Sequence, residues 1–167
     1  CQRTLEVAQR RLARHTAQYD EAKTLLDHLQ VHYQQLLADN ATNPHPIRAT
    51  FRLDGGFASP GLFDFLEEQS NLAYAVGYPK NAVLQRQVAD ALRRVRRRAK
   101  RNGKSAREYG HRFYAAKSWS HERRLVYKCE VVQHPGRKPK DNPRFVVTNL
   151  GWIPKRVYEW YCQRGEV

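Results

Sequence analysis

Few residues in this chain have side chains that could do chemistry, and one carboxylate stands out among them. Asp54 follows an apolar run and directly precedes Gly55 and Gly56. As a turn residue, it would cap the bend with its own side chain. Beside other oxygen ligands it would bind Mg²⁺, because hard carboxylate oxygens suit this ion and bridge it to phosphate. The neighbouring sequence leaves both interpretations open.

Nine lysines and arginines within residues 93–107 form the strongest physical pattern in the sequence. This density of charge cannot be a buried face, so it predicts either a solvated helix surface or a surface that binds a polyanion. Each neutralised phosphate releases counterions, so such binding would weaken steeply with added salt. The candidate nucleic-acid contacts are Arg93, Arg94, Arg96, Arg97, Arg98, Lys100, Arg101, Lys104 and Arg107.

The overall charge is strongly positive and unevenly distributed. The 167 residues include 30 Lys and Arg against 16 Asp and Glu, a formal net charge of +14. The first 90 residues are nearly neutral, so almost all of the excess lies in the rest of the chain, where a polyanion would bind. Three widely spaced cysteines do not suggest a disulfide framework or a zinc site, and no apolar run is long enough to span a membrane. Because the chain has no Met and begins at Cys1, we expect a piece of a longer protein.

The first 42 residues read as one long helix, predicted over residues 4–38. Two apolar series recur every seven residues and lie three positions apart, which is the pattern of a coiled-coil seam. The seam predicts a partner, either another helix or a second copy of the chain, through residues 5–36. The first series is Leu5, Leu12, Tyr19, Leu26 and Tyr33, and the second is Ala8, His15, Ala22, Leu29 and Leu36.

Residues 47–79 change to a strand–helix–strand pattern. Residues 47–53 alternate apolar and polar side chains, which predicts a strand ending just before Asp54. Ser59 followed by Pro60 predicts the start of a helix that runs to about residue 69, and residues 72–76 predict a second, buried strand. Such a unit favours a parallel strand pair. Sites in open α/β sheets gather at the carboxyl ends of strands, which is where Asp54 falls.

The remaining residues predict a second helix, three strands and a final helix. Residues 81–101 have one apolar side and one basic side, typical of an amphipathic helix. Strands are expected at 113–116, 125–132 and 145–148, and Pro154 is expected to begin the last helix.

Several of these segments together resemble a known family. The run FRLDGGF at residues 51–57, the helix after Ser59 and the strand ending at Gly77 resemble the second-aspartate strand of DDE transposases from bacterial insertion sequences. Residues 118–131 and 142–150 resemble the β-rich insertion of that family. Residues 161–167, YCQRGEV, resemble the start of its Y-x2-R-x3-E signature. The resemblance covers roughly residues 47–167.

The resemblance implies an α/β fold: a partial RNase H-like domain with a β-rich insertion, preceded by the long heptad-patterned helix. It implies a division into residues 1–42, 47–80, 81–150 and 153–167, the last being the start of the catalytic C-terminal helix. It also implies metal-dependent cleavage and transfer of DNA strands, with Mg²⁺ or Mn²⁺ held by two aspartates and one glutamate. DNA would be the partner, and the location would be the bacterial cytoplasm, in association with the nucleoid, not a membrane.

The family's residues carry over to three positions. Asp54 matches the second metal-binding aspartate, and Tyr161 and Arg164 match the tyrosine and arginine of the signature. The signature glutamate would fall one position past Val167, and no strand for the first aspartate precedes Asp54. We therefore expect weak metal binding and no strand transfer by this chain alone. The alternatives are a basic nucleic-acid-binding module without catalysis and a coiled-coil assembly subunit.

Overall fold

The computed structural model of the chain describes residues 2–44, 48–69 and 71–163. It divides into two compact units, Cys1–Ile47 and Arg48–Val167. The first unit is the long helix, and the second is an α/β domain. Within the described ranges, no helix combines the length and the apolar character that crossing a membrane requires.

Helix α1 spans Gln2–Thr42, a few residues longer at each end than the heptad pattern predicts. At 41 residues it is about 60 Å long. Most of its seam faces solvent: Leu12 and Tyr19 are each 69% exposed, and Leu26 is 52% exposed. Apolar side chains in this number and spacing are normally covered by another helix, and an exposed apolar surface of this kind is typical of an interaction site.

The second unit is built on a mixed six-stranded sheet, and the predicted α/β class is confirmed. The strands are β1 (Ala49–Leu53), β2 (Leu72–Tyr78), β3 (Ala106–Tyr114), β4 (Arg123–Val132), β5 (Lys140–Asp141) and β6 (Arg144–Thr148). Their order in the sheet is β1-β2-β6-β4-β3, and the short β5 pairs with β4 beside this path. This arrangement is consistent with a partial RNase H-like domain.

Strands β1 and β2 form the predicted parallel pair, joined by helix α2 (Pro60–Glu68). The helix begins as the sequence indicates, because the Ser59 hydroxyl accepts a hydrogen bond from the Leu62 amide at 3.3 Å and Pro60 occupies the first turn. The carboxyl ends of both strands therefore lie at one edge of the sheet. Asp54, the residue after β1, and Tyr78, the last residue of β2, lie at that edge.

The basic segment differs from the predicted single helix over residues 81–101. It forms two helices, α3 (Ala82–Gln87) and α4 (Ala89–Asn102), which meet at Val88. Val88 has φ −102° and ψ 7°, outside the helical range, and its amide hydrogen bonds close α3. Gly103 ends α4 in the left-handed conformation that glycine adopts without strain. No glycine or proline lies at this junction, so the sequence pattern does not predict a break in the helix.

The strand expected at residues 113–116 is instead β3, which begins seven residues earlier. It is the end strand of the sheet and pairs along its whole length with β4 alone. Much of it is polar and solvent-exposed, as in Arg107 and His111. An edge strand needs little apolar alternation, and the sequence pattern therefore underestimates its length.

The core lies on both faces of β2 and of the central strands β6 and β4. Every residue from 72 to 77 of β2 is buried. On α4 the buried residues are Ala91, Val95 and Ala99, small side chains that let this helix lie close to the sheet. Helix α5 (Pro154–Cys162) contributes Val157, Tyr158 and Tyr161 to a buried cluster with residues of β2, β4 and β6. The arginines of α4 lie on its opposite, solvent-facing side.

A buried arginine joins α2 to the start of β4. Arg123 is 2% exposed, and its guanidinium donates to Glu67 at 2.9–3.1 Å and to Asp64 at 2.5 Å. It also lies over the rings of Phe63 and Trp119, at 5.3 and 5.2 Å. Hydrogen bonds from Ser120 and Arg123 lower the pKa of Asp64, so this carboxylate is charged at neutral pH. The two carboxylates and the two rings thus compensate most of this buried charge, although Arg123 Nη1 is buried without a hydrogen-bond partner among the described residues.

We predict that Arg123→Met lowers the free energy of unfolding at pH 7 by about 3 kcal/mol, because it leaves two neighbouring carboxylates without their shared cation. Urea denaturation measures this loss, with Arg97→Met as the control for an exposed arginine. The pKa of Asp64 is lowered by folding, so its contribution is present above its unfolded pKa and is lost as the pH falls through the folded pKa. The difference between the wild type and Arg123→Met should therefore shrink in acid. A difference that stays constant from pH 7 to pH 3 would contradict the ion-pair account.

Candidate active site

An open cleft of about 540 Å³ lies at the carboxyl ends of β1 and β2. Its walls come from these strand ends, from the start of β6, from the middle of β4 and from the last turns of α5. This is the edge at which α/β sheets place their ligands. The residues that line the cleft are Asp54, Gly55, Gly77, Tyr78, Pro79, Lys128, Asn142, Arg144, Phe145, Tyr158, Tyr161 and Cys162.

Asp54 stands at the point where β1 ends and a short 3₁₀ turn, Gly55–Phe57, begins. Its Oδ1 accepts a hydrogen bond from the Gly55 amide at 2.6 Å, so the side chain caps this turn. The same residue lines the cleft. The two interpretations drawn from the sequence are therefore compatible, because the cap holds the carboxylate at the strand end beside the cleft.

Tyr161 reaches the cleft from α5 and packs against a glycine of β2. It is 7% exposed, and its hydroxyl lies where a side chain at Gly77 would be. A Cβ built on Gly77 would lie 3.2 Å from Tyr161 Cζ, nearer still to the hydroxyl, and 3.1 Å from the Gly55 amide nitrogen. The bare backbone at Gly77 thus lets the ends of β1, β2 and α5 meet around one point.

Helix α5 is fixed in this position by two arginines from the sheet. Arg52 of β1 donates to the Trp160 carbonyl at 3.1 Å, and its guanidinium lies 5.0 Å from the Trp160 ring centroid. Arg124 of β4 donates to the carbonyls of Leu150 and Trp152, the latter at 2.7 Å, in the segment that leads into α5. These contacts determine which face of α5 meets the strand ends.

A model of the transposase DDE domain, group 1, matches residues 5–167. The chain belongs to this family. The resemblance seen in residues 51–57 and 161–167 is therefore confirmed at the level of the family. No curated protein and no solved structure gave a significant match.

The structure brings together two of the three residues that the transposase resemblance singles out. Asp54 and Tyr161 line the same cleft although they belong to different sequence motifs. The third, Arg164, lies outside the described residues. Asp54 carries the one carboxylate among the described residues that line the cleft. A single carboxylate does not make a complete Mg²⁺ site, which needs several hard oxygen ligands.

Lys128 and Arg144 give the cleft a positive wall that sequence reasoning missed. They are register partners on the antiparallel strands β4 and β6. Lys128 Nζ lies 2.7 Å from Glu130 and 5.2 Å from the ring centroid of Tyr158, and Arg144 Nε donates to Asn142 at 3.0 Å. Both cations lie far from Asp54 in the sequence, and neither belongs to a dense charge run. Only the pairing of β4 with β6 places them in the cleft.

Glu130 is the acidic neighbour of this positive wall. Burial opposes its ionisation, but hydrogen bonds from Lys128 and Asn142 outweigh burial and lower the pKa of Glu130. The residue therefore carries its charge at neutral pH and holds Lys128 in a defined position. Tyr158, whose pKa is raised mainly by burial, remains a neutral ring under the ammonium group.

The nine predicted nucleic-acid contacts fall into two groups. One group is engaged with acidic side chains: Arg94 and Arg98 with Glu108, Arg96 with Asp141 and Arg93 with Asp90. For the other group, no ion pair is formed with any described residue. That group is Arg97, Lys100, Arg101, Lys104 and Arg107, all exposed. Arg94, Arg96 and Arg98 of the first group join α4 to β3 and β5, whereas Arg93 pairs with Asp90 within α4. The second group is exposed to solvent.

A cluster of acidic and histidine side chains lies elsewhere in the domain. One ligand atom each from Asp64, Glu67 and His121 lies within 4.8 Å of the others. None of the three lines the cleft. Arg123 already engages both carboxylates, so a cation here would be repelled by a buried guanidinium. The two carboxylates of this cluster therefore serve as the ion-pair partners of Arg123.

We predict that Gly77→Ala destabilises the domain by about 1–3 kcal/mol, because the new methyl group would overlap the Tyr161 hydroxyl and crowd the Gly55 amide. Thermal or urea unfolding measures the change. Gly56→Ala is the matched control, since nothing lies within 4 Å of its added Cβ. Combining Gly77→Ala with Tyr161→Phe should recover part of the loss. Equal stability of the two alanine variants would mean that the close approach at Gly77 is not a constraint.

Proposed function

We propose that this chain is part of the catalytic domain of a DNA transposase and that it binds the DNA backbone in and beside the cleft. The observation that carries the proposal is the meeting of Asp54 and Tyr161, from separate family motifs, in one cleft with a positive wall. Family membership supports a transposase-related role. Strand cleavage and transfer in DNA transposition is the activity that we assign to the complete catalytic domain.

Within this proposal, the residues of the cleft have distinct tasks. Arg144 would hold a phosphodiester by charge and hydrogen bonds, since it lines the cleft and forms no ion pair with a described residue. Lys128, which is paired with Glu130, would add its charge to the same wall. Tyr161 would act as a positioning residue, because it packs the last helix against the strand ends that bear Asp54. Asp54 would contribute one carboxylate toward a divalent metal. The described lining of the cleft does not complete such a site.

The basic surface of α4 and its exit loop would bind the flanking duplex. We place the phosphate contacts on Arg97, Lys100, Arg101 and Lys104, with Arg107 beside them on β3, since these exposed cations form no ion pair with a described residue. The arginines held by Glu108 and Asp141 would instead keep the surface rigid.

A non-catalytic DNA-binding module remains the second candidate. The observation that favours it is the single carboxylate among the described residues that line the cleft. Both candidates predict salt-sensitive DNA binding, whereas catalysis alone predicts a requirement for Asp54. For either candidate we propose a cytoplasmic location in association with the nucleoid, which follows from DNA as the partner.

The first test removes charge from the proposed surface. We expect the triple change Arg97→Gln, Lys100→Gln and Arg101→Gln to weaken binding to a fluorescent duplex and to lower the slope of log K against log salt by about 2–3. Fluorescence anisotropy over a series of salt concentrations measures both. The control removes the same charge from exposed lysines elsewhere, by Lys23→Gln, Lys117→Gln and Lys155→Gln. An equal loss of DNA affinity in the two triple variants would mean that binding depends on the net charge of the protein and not on this surface.

The second test separates binding from catalysis. In the protein expressed with the segments that flank residues 1–167 in its gene, Asp54→Asn should abolish Mg²⁺- or Mn²⁺-dependent strand cleavage and leave DNA affinity unchanged or slightly tighter. The affinity is retained because the substitution removes a negative charge from a site that faces phosphate. Glu122→Gln, at an exposed acid outside the cleft, is the control. Unchanged cleavage by Asp54→Asn would refute a catalytic role for this carboxylate and favour the binding module.

A further inference from the structure

The exposed part of the α1 seam has a definite extent. Its described residues are exposed from Leu5 to Leu29, whereas Tyr33 and Leu36 are half-buried. The exposed stretch covers three and a half heptads by sequence, about the length at which a heptad pattern supports a stable coiled coil. Leu5, Leu12, Leu26 and Leu29 are between 46% and 69% exposed. A seam of this length and composition can pack against the seam of another helix in a coiled coil.

The charges of α1 are divided along its length. Residues 2–14 carry four arginines and one glutamate, whereas residues 15–42 carry one lysine and four acids. One end of the helix is thus positive and the remainder negative. Two such helices side by side repel at both ends when parallel and attract at both ends when antiparallel. The charge pattern is therefore complementary to itself in one orientation.

We propose that α1 pairs with α1 of a second copy of this chain in an antiparallel coiled coil centred near residue 17. Aligning the two exposed stretches end to end places Leu5 opposite Leu29 and Ala8 opposite Leu26. The first pair joins two large side chains and the second a small and a large one, and such complementary layers fill a coiled-coil interface. His15 and Tyr19 meet at the centre, where polar residues fix the register.

The same alignment brings opposite charges together. Residues 5–14, with three arginines and one glutamate, lie beside residues 20–29 of the partner, with three acids and one lysine. Arg14 of one copy falls level with Asp20 of the other, whereas Arg11 falls level with Lys23, so the attraction comes from the net charge of the two segments. A parallel pair would place the four arginines of each copy beside those of the other. Charge patterning of this kind selects orientation more than it adds affinity.

The first experiment compares two equally exposed apolar residues of the 167-residue chain. Leu12 lies in the seam, and Val31 lies on the opposite side of the helix by heptad position; they are 69% and 68% exposed. We expect Leu12→Gln to weaken self-association at least about tenfold, because each dimer loses two buried leucines, and Val31→Gln to leave it unchanged. Sedimentation velocity over a range of concentrations measures the dissociation constant. Circular dichroism verifies that both variants keep their helix.

The second experiment determines the orientation by disulfide trapping. It uses a background with Cys1→Ser and Cys162→Ser, in which the remaining Cys129 is buried. A mixture of Ala8→Cys and Leu26→Cys chains should form a mixed disulfide, since the antiparallel register brings these positions together. Leu12→Cys alone should not bridge to itself, because its two copies would lie about 15 Å apart along the axis. In a parallel pair, Leu12→Cys would bridge to itself and the mixture would not.

Three outcomes would overturn the proposal. A chain that stays monomeric at high concentration would mean that some other helix covers the seam. Self-bridging of Leu12→Cys would establish the parallel orientation. Equal effects of Leu12→Gln and Val31→Gln would move the interface away from the seam. None of these results bears on the cleft, so the DNA-binding proposal stands or falls separately.

Discussion

The candidate site depends on the close approach of a tyrosine ring to a bare stretch of backbone. The Tyr161 hydroxyl occupies the space that a side chain at Gly77 would need, and the Gly55 amide borders the same space. This approach lets the last turns of α5 reach the strand ends. Arg52, through the Trp160 carbonyl and ring, holds the helix in that position from β1. Without the close approach of Tyr161 to Gly77, Asp54 would cap a turn at the surface and the cleft would lose the wall that α5 provides.

Much of the framework could be predicted from the sequence, because its causes are local. The Ser59–Pro60 start of α2 and the position of Asp54 after β1 follow from caps and from the alternation of side chains. That Asp54 and Tyr161 lie together could be predicted only from the family resemblance, since no local sequence rule links residues so far apart. Lys128 and Arg144 were missed because only the pairing of β4 with β6 brings them to the cleft.

The basic segment illustrates why counting charges is insufficient. From the sequence, all nine cations of residues 93–107 are equivalent. In the fold, Glu108 on β3 and Asp141 on β5 engage three of the arginines of α4. Of the three acids that divide the cations into two groups, Glu108 and Asp141 come from strands and only Asp90 lies on α4. A pattern confined to one helix cannot reveal which of its charges are already balanced.

The two described cysteines have sharply different surroundings. Burial raises the pKa of the Cys129 thiol to about 11, whereas Cys162 is exposed at the lining of the cleft. Since the thiolate is the reactive form, a maleimide dye should label Cys162 and spare Cys129. With Cys1 replaced, the chain would carry a native attachment point for a fluorophore beside Tyr161. Its emission would report directly when a ligand enters or leaves this part of the molecule.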